Sequence, residues 1–140
     1  MSDFGEQEKR IAGILDEDEV PEVTDETLKK YLVYLQKNLE FPCYLTGIED
    51  FSWEERYVFG EGNQEEYEKL KKTQPSYKDT FECIDFNRET DEGYGILVNV
   101  KRVSDKRKFT LPLADLESTD KQSNNYQLLD DYSVWFVNYQ

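Results

Sequence analysis

Residues 80–113, TFECIDFNRETDEGYGILVNVKRVSDKRKFTLPL, decide the fold of this chain. Within them, residues 80–86 and 108–113 alternate between apolar and polar side chains, and residues 94–103 are rich in β-branched side chains. Both patterns are typical of strands. The polar stretches between them are suited to the turns that join consecutive strands. The sequence therefore predicts a three-stranded antiparallel meander.

Helices are predicted on both sides of this meander. Thr24 precedes an acidic first turn, and apolar residues then recur at helical spacing from Leu28 to Leu39, which indicates a capped helix. Residues 126–139 place leucines and aromatic side chains three and four residues apart, so a closing helix should bury Trp135 against the sheet. We expect an α+β fold: a small curved antiparallel sheet or an SH3-like barrel, flanked by N- and C-terminal helices.

The region between the first helix and the meander is predicted to hold two short strands and one short helix. A strand pattern covers residues 43–47, and another lies around residues 56–59. Residues 64–72 mix opposite charges at helical spacing, with only Tyr67 and Leu70 to dock them. This is typical of a short exposed helix.

The chain is strongly acidic and its acids are unevenly distributed. It has 31 acidic and 17 basic residues, a net charge of −14, and ten of the acids lie within residues 1–26 beside two bases. A surface of this sign repels nucleic acids and anionic lipids. We expect residues 1–23 to be a flexible acidic leader and residues 24–140 to be a single α+β domain. The N-terminus lacks the pattern of a secretory signal, so we expect a cytoplasmic protein.

Residue usage argues against most enzyme chemistry. The chain has no histidine, which removes the usual acid/base catalyst and the usual transition-metal ligand. Its two cysteines, Cys43 and Cys83, lie between apolar neighbours and are expected to be buried free thiols rather than zinc ligands. We expect no enzymatic activity, and a hydrolase that uses paired carboxylates is the enzyme-class alternative.

Acidic residues are concentrated where a strand end, a polar loop and the closing helix should meet. Calcium takes six to eight oxygen ligands, which several converging carboxylates can supply. No EF-hand loop is present, and an ordinary solvated acidic face is the alternative. Glu49 and Asp50 form a second group elsewhere in the chain. The acids of the first group are Asp115, Glu117, Asp120, Asp130 and Asp131.

Three segments of the chain together resemble one known family. They are residues 34–42 (YLQKNLEFP), 111–117 (LPLADLE) and 131–135 (DYSVW). In this order they resemble the bacterial calcium-binding family typified by cyanobacterial CcbP, over about residues 28–136. The resemblance implies a small β-domain entered from a helix and closed by a second helix. It also implies calcium binding without an EF-hand.

The resemblance carries over to particular positions. Asp115, Glu117 and Asp131 match acids of the family motifs, and Glu40 would stand in for the ligands near the first helix. Lys37 lies where the family tends to carry acids, and a lysine opposes a cation site. Together with the acids of the closing helix, the predicted calcium ligands are Asp115, Glu117, Asp130, Asp131 and Glu40.

Two functions follow from these observations. The first is an acidic, non-EF-hand calcium-binding protein that buffers or sequesters calcium. The alternative is an acidic protein-interaction module of the immunity or inhibitor type, without a metal function, whose charge would steer a basic protein partner.

Overall fold

The computed structural model describes residues 3–60, 62–91 and 93–140, and the side chains from residue 5 onward within them. Two 3-10 turns, Ser52–Glu54 and Leu113–Asp115, accompany the regular elements in these residues. The helices are α1 (Asp3–Ile14), α2 (Asp25–Asn38), α3 (Glu55–Val58), α4 (Gln64–Leu70) and α5 (Asn124–Asn138). The strands are β1 (Tyr44–Gly47), β2 (Phe81–Phe86), β3 (Leu97–Arg102), β4 (Lys108–Pro112) and β5 (Leu116–Ser118). No described helix is long and apolar enough to cross a membrane.

The five strands form one antiparallel sheet in the order β4-β3-β2-β1-β5. The predicted meander is confirmed, because β2 pairs with β3 and β3 with β4. The α+β class is confirmed as well. The sheet is open, since β4 and β5 lie at opposite edges with three strands between them. The fold therefore has the flanked sheet of the prediction, and a closed SH3-like barrel is not formed.

The two predicted flanking helices are present. Thr24 caps α2 through a capping box with Thr27, which gives the first turn side-chain partners for its free N–H groups. Leu28, Leu32 and Leu35 of α2 are buried, as their spacing predicts. Helix α5 begins after Ser123, whose side chain accepts a hydrogen bond from the Tyr126 N–H.

An aromatic cluster joins these helices to the sheet. The Trp135 ring is fully buried and stacks on Tyr31 at a centroid distance of 5.0 Å. The Tyr132 hydroxyl accepts a hydrogen bond of 2.8 Å from the Ile96 N–H. Gly95 lies against Tyr132 with φ of 73°, where a Cβ atom would collide with the Tyr132 hydroxyl. Trp135 therefore has the core role that the sequence predicts.

Within the predicted acidic leader, residues 3–14 form a helix that packs against the core. Residues Asp3–Ile14 are helical, and the side chains of Ile11 and Leu15 are buried in the core. The four-residue spacing of Ile11 and Leu15 places them on one side of a helix. Net charge obscures this short apolar stripe because Asp3, Glu6 and Glu8 lie on the same helix. That residues 24–140 fold by themselves stays a prediction.

The strand predicted around residues 56–59 is wrong. Residues Glu55–Val58 form helix α3, directly after the 3-10 turn. Tyr57 and Phe59 alternate as in a strand, but only Tyr57 is buried and Phe59 is 76% exposed. The Tyr57 ring stacks on Tyr67 of α4 at 5.1 Å. This tertiary contact favours the helical turn, and the short helix predicted from residue 64 is confirmed as α4.

Candidate metal centre

An acidic groove lies between residues 48–55, the turn Leu113–Asp115 and helix α5. It encloses about 430 Å³. Among the described residues that line it, five are acidic and none is basic. The groove is therefore a local concentration of negative charge with no internal counter-ion. The acids are Glu49, Asp50, Glu55, Asp115 and Asp130.

The sheet and two hydrogen bonds bring the walls of this groove together. Gly47 at the end of β1 pairs with Leu116 of β5, which places the two acid-bearing segments side by side. The Ile48 N–H donates to the Asp115 carbonyl at 3.0 Å. On the other side, the Ser133 hydroxyl donates to the Ala114 carbonyl at 3.1 Å. The turn that carries Asp115 is thus tied to both walls.

Burial and a neighbouring carboxylate determine the electrostatics of Asp115 in this groove. The pKa of Asp115 is raised above its ordinary value, first because the surrounding groove desolvates it and second because the negative charge of Glu49 is close. Both effects disfavour the charged form of Asp115. A bound divalent cation would reverse the second effect.

The acids of the groove are near one another without converging on a single point. Within residues 3–60, 62–91 and 93–140, no three or more Cys, Asp or Glu side chains are placed so that they could hold a metal ion. Charged carboxylates repel one another at close range. Calcium also accepts hydroxyl, amide and water oxygens in a flexible geometry, and Ser133 and Asn138 line the same groove.

Two of the five sequence-predicted ligands, Asp115 and Asp130, lie in this groove. Asp115 is held by the turn described above. Asp130 projects from α5, and its Oδ2 atom accepts a hydrogen bond of 3.1 Å from the Gln7 amide. The other three predicted ligands are outside the lining of the groove.

Asp131 is occupied by an internal partner. Its carboxylate is buried and accepts hydrogen bonds from Nε and Nη2 of Arg10, each at 3.0 Å. The Gln7 amide donates a further bond of 2.9 Å. Arg10 thus neutralises the Asp131 carboxylate, which calcium would do if Asp131 were a ligand. The prediction that Asp131 joins Asp115 in one site does not match this geometry.

Glu117 and Glu40 lie outside the groove because of where their backbone segments are held. Leu116 and Ser118 are buried, so the alternation of β5 turns Glu117 to the opposite face of the sheet. Glu40 follows α2, where the Asn125 side chain accepts from its N–H at 2.9 Å and donates to its carbonyl at 2.8 Å. The Glu40 carboxylate accepts a bond of 3.3 Å from Asn124. Neither carboxylate faces Asp115.

Sequence reasoning found Glu49 and Asp50 as a separate group and missed Glu55. The pairing of β1 with β5 brings Glu49 and Asp50 to the same groove as Asp115. No local sequence pattern predicts a pairing between segments about 70 residues apart. Lys37 lines a different groove, on α2 beside Lys29 and Lys30. It therefore does not oppose a cation among the acids described here.

Comparisons with known proteins agree with this fold. No curated protein sequence matches the chain. A solved structure described as a calcium-binding protein in its calcium-binding form is 20% identical, with a TM-score of 0.59, over 96% of this chain and 93% of its own. The crystal structure of Anabaena CcbP is 18% identical, with the same TM-score, over 96% of this chain and 91% of its own. At these identities the likeness establishes the shared fold.

The family itself is established by a sequence model. The CcbP family model, described as calcium binding, matches residues 63–136, which is more than half of the chain. The match includes β2 to β5 and most of α5, and with them Asp115 and Asp130 of the groove. The description of the family names calcium binding and no catalysed reaction. The chain belongs to the CcbP calcium-binding family.

Proposed function

We propose that this protein binds calcium in the acidic groove and acts as a calcium buffer. The observation that carries the proposal is that, among the residues the structure describes, five carboxylates and no basic side chain line one groove. The chain also belongs to a family described by calcium binding. Oxygen ligands of this kind suit calcium. The proposal includes no catalytic role.

The proposed ligands come from three separate elements. Asp115 is the central one, because its turn is fixed by hydrogen bonds to both walls. Asp130 approaches from α5, and the Glu49, Asp50 and Glu55 side chains approach from the opposite wall. Calcium tolerates a ligand set that closes around it from flexible segments. Magnesium, which is smaller and demands a stricter octahedral geometry, should bind more weakly.

Calorimetric titration of chelator-treated protein tests the site. We expect calcium to bind at millimolar concentration or below, with a weaker response to magnesium. Asp115→Asn should weaken calcium binding, because it removes one charge from the central ligand. Glu117→Gln is the matched control, since it removes a charge of the same kind from the same strand region outside the groove. Equal losses from both variants would show that general acidity, and not this groove, binds the ion.

Stability measurements give a second readout of the same variant. Asp115→Asn should raise the melting temperature of the calcium-free protein, because it relieves the repulsion and desolvation that raise the Asp115 pKa. Calcium should then stabilise the variant less than the wild type, since a ligand stabilises a protein by mass action in proportion to its affinity. If several millimolar calcium leaves the wild-type melting temperature unchanged, the acidic protein-interaction module becomes the better proposal.

Buffering predicts that calcium changes the shape of the protein little. Sensor proteins expose an apolar surface on binding calcium, whereas buffers barely open. The rim of this groove is attached to the sheet through β1 and β5. This attachment should keep any movement of the rim on calcium binding small. Binding of an apolar fluorescent dye should therefore be the same with and without calcium. A large increase in dye binding would indicate a sensor.

A further inference from the structure

The two cysteines face each other across neighbouring strands. The Cys83 N–H donates to the Cys43 carbonyl at 2.9 Å. This bond continues the antiparallel register in which Tyr44 pairs with Glu82 and Leu45 with Phe81. Directly opposite residues of such a pair have Cα atoms about 5.5 Å apart, which lies within the range that disulfides span. Both thiols are free and both side chains are buried.

We propose that Cys43 and Cys83 are a site of reversible oxidation, at which a low-molecular-weight disulfide such as glutathione disulfide converts the two thiols into a cross-strand disulfide. The Cys43 thiolate attacks one glutathione sulfur, the glutathione S–S bond breaks, and one glutathione thiolate leaves. The Cys83 thiolate then attacks the Cys43 sulfur and displaces the second glutathione. Two electrons pass to glutathione disulfide, and the two thiol protons end on the two glutathione molecules.

The surroundings of the two thiols set the order of attack. The pKa of the Cys43 thiol is lowered by hydrogen bonding to Cys83 first, and also by the Asn125 amide. The pKa of the Cys83 thiol is raised by its contact with Cys43 and by burial. Cys43 also lies directly before β1, at the end of a loop, whereas Cys83 lies within β2. Local opening of this loop would expose Cys43 without unpairing β2 from β3.

The same geometry makes the disulfide easy to reduce. Opposite Cβ atoms in a strand pair are about 4.5–5.5 Å apart, whereas a disulfide holds them near 3.8 Å. Closing the bond must therefore draw β1 and β2 together, and a strained disulfide has a higher reduction potential than a structural one. A bulge between Cys83 and Asp85 in β2 provides a place where the strand can adjust. We expect a switchable bond and not a permanent crosslink.

The test uses the full chain in glutathione buffers of graded redox ratio, with chelator present so that the outcome is independent of calcium binding. After acid quenching and maleimide labelling, intact mass and non-reducing peptide maps identify the product. We expect loss of two hydrogen atoms, a peptide linking Cys43 to Cys83, and full reversal by dithiothreitol. Free thiols at every ratio, or only crosslinks between two chains, would overturn the proposal.

Two single variants examine the order of attack. Cys83→Ala should stop the reaction at the mixed disulfide, so glutathione should accumulate on Cys43. Cys43→Ala should react more slowly, because burial and the neighbouring Asp85 and Glu82 carboxylates still raise the pKa of the remaining Cys83 thiol. The reverse ranking would overturn the assigned roles. If either variant fails to fold, the wild-type peptide map still decides whether the disulfide forms.

Discussion

Replacing Asp131 by asparagine tests how the N-terminal helix is held. The wild-type carboxylate is buried and accepts three hydrogen bonds, two from Arg10 and one from Gln7. An amide keeps one acceptor oxygen but places an NH₂ group against donors. Asp131→Asn therefore removes one of the two acceptor oxygens that Arg10 uses, and with it the negative charge that holds α1 against α5.

The size of the effect follows from the exposure of the two partners. Exposed ion pairs contribute about 0–1 kcal/mol, and breaking a fully buried pair costs about 3–5 kcal/mol. Arg10 is 37% exposed and Asp131 is 2% exposed in their side chains, so an intermediate cost of about 2 kcal/mol is expected. For a chain of this length, that loss lowers the melting temperature by about 4–8 °C.

Thermal unfolding followed by circular dichroism, in chelator, measures this change. Asp130→Asn is the matched control. The Asp130 carboxylate is next in sequence to Asp131, but it is exposed and accepts only one hydrogen bond from Gln7. A double-mutant cycle with Arg10→Met should give a coupling of about 1 kcal/mol or more. The ligand hypothesis for Asp131 predicts the opposite sign, since relieved repulsion would raise the melting temperature. A melting temperature that rises, or a cycle that shows additivity, would refute the assignment of Asp131 to the Arg10 contact.

Three further predictions concern stability. Deleting residues 1–22 should lower the melting temperature by more than about 4 °C in a calorimetric scan, because it removes the buried Leu15 side chain. An unchanged melting temperature would support the prediction of a flexible leader. Trp135→Ala should cost about 3–5 kcal/mol in urea unfolding, and a neutral result would contradict its core role. The hydrogen bond from Arg102 lowers the pKa of Asp105 from 3.8 to about 2. Because the folded pKa is depressed, the stability that the Arg102–Asp105 pair contributes is present above pH 3.8 and is lost as the pH falls towards about 2. Asp105→Asn should therefore flatten the dependence of stability on pH in this range, and an unchanged dependence would exclude the pair as its source.

The elements that were predictable from sequence each carry their own local signal. The Thr24 cap and the leucine spacing define α2, and the aromatic spacing around Trp135 defines α5. The meander has alternating strands separated by polar turns. Local preference and tertiary packing agree in these segments, so sequence patterns suffice.

The errors occur where a distant contact determines the structure. Tyr57 and Phe59 alternate like strand residues, yet the stacking of Tyr57 on Tyr67 accompanies a helical turn. The docking of α1 depends on Arg10 meeting a carboxylate 121 residues away. The acidic groove likewise arises from the pairing of β1 with β5. Residue types near Asp115 indicated the chemistry of the site, but only the fold determines which acids share it.

The open sheet leaves two strands with a free edge, and both are poor templates for a strand from another molecule. β5 has three residues, which gives an incoming strand few backbone groups to pair with. β4 begins at the exposed Lys108 and ends at Pro112, which lacks an N–H group. Addition of a second sheet at either edge would also bring together two chains of charge −14. The protein should consequently stay dispersed at high concentration, because edge-to-edge aggregation is opposed by strand length, by side chains and by charge.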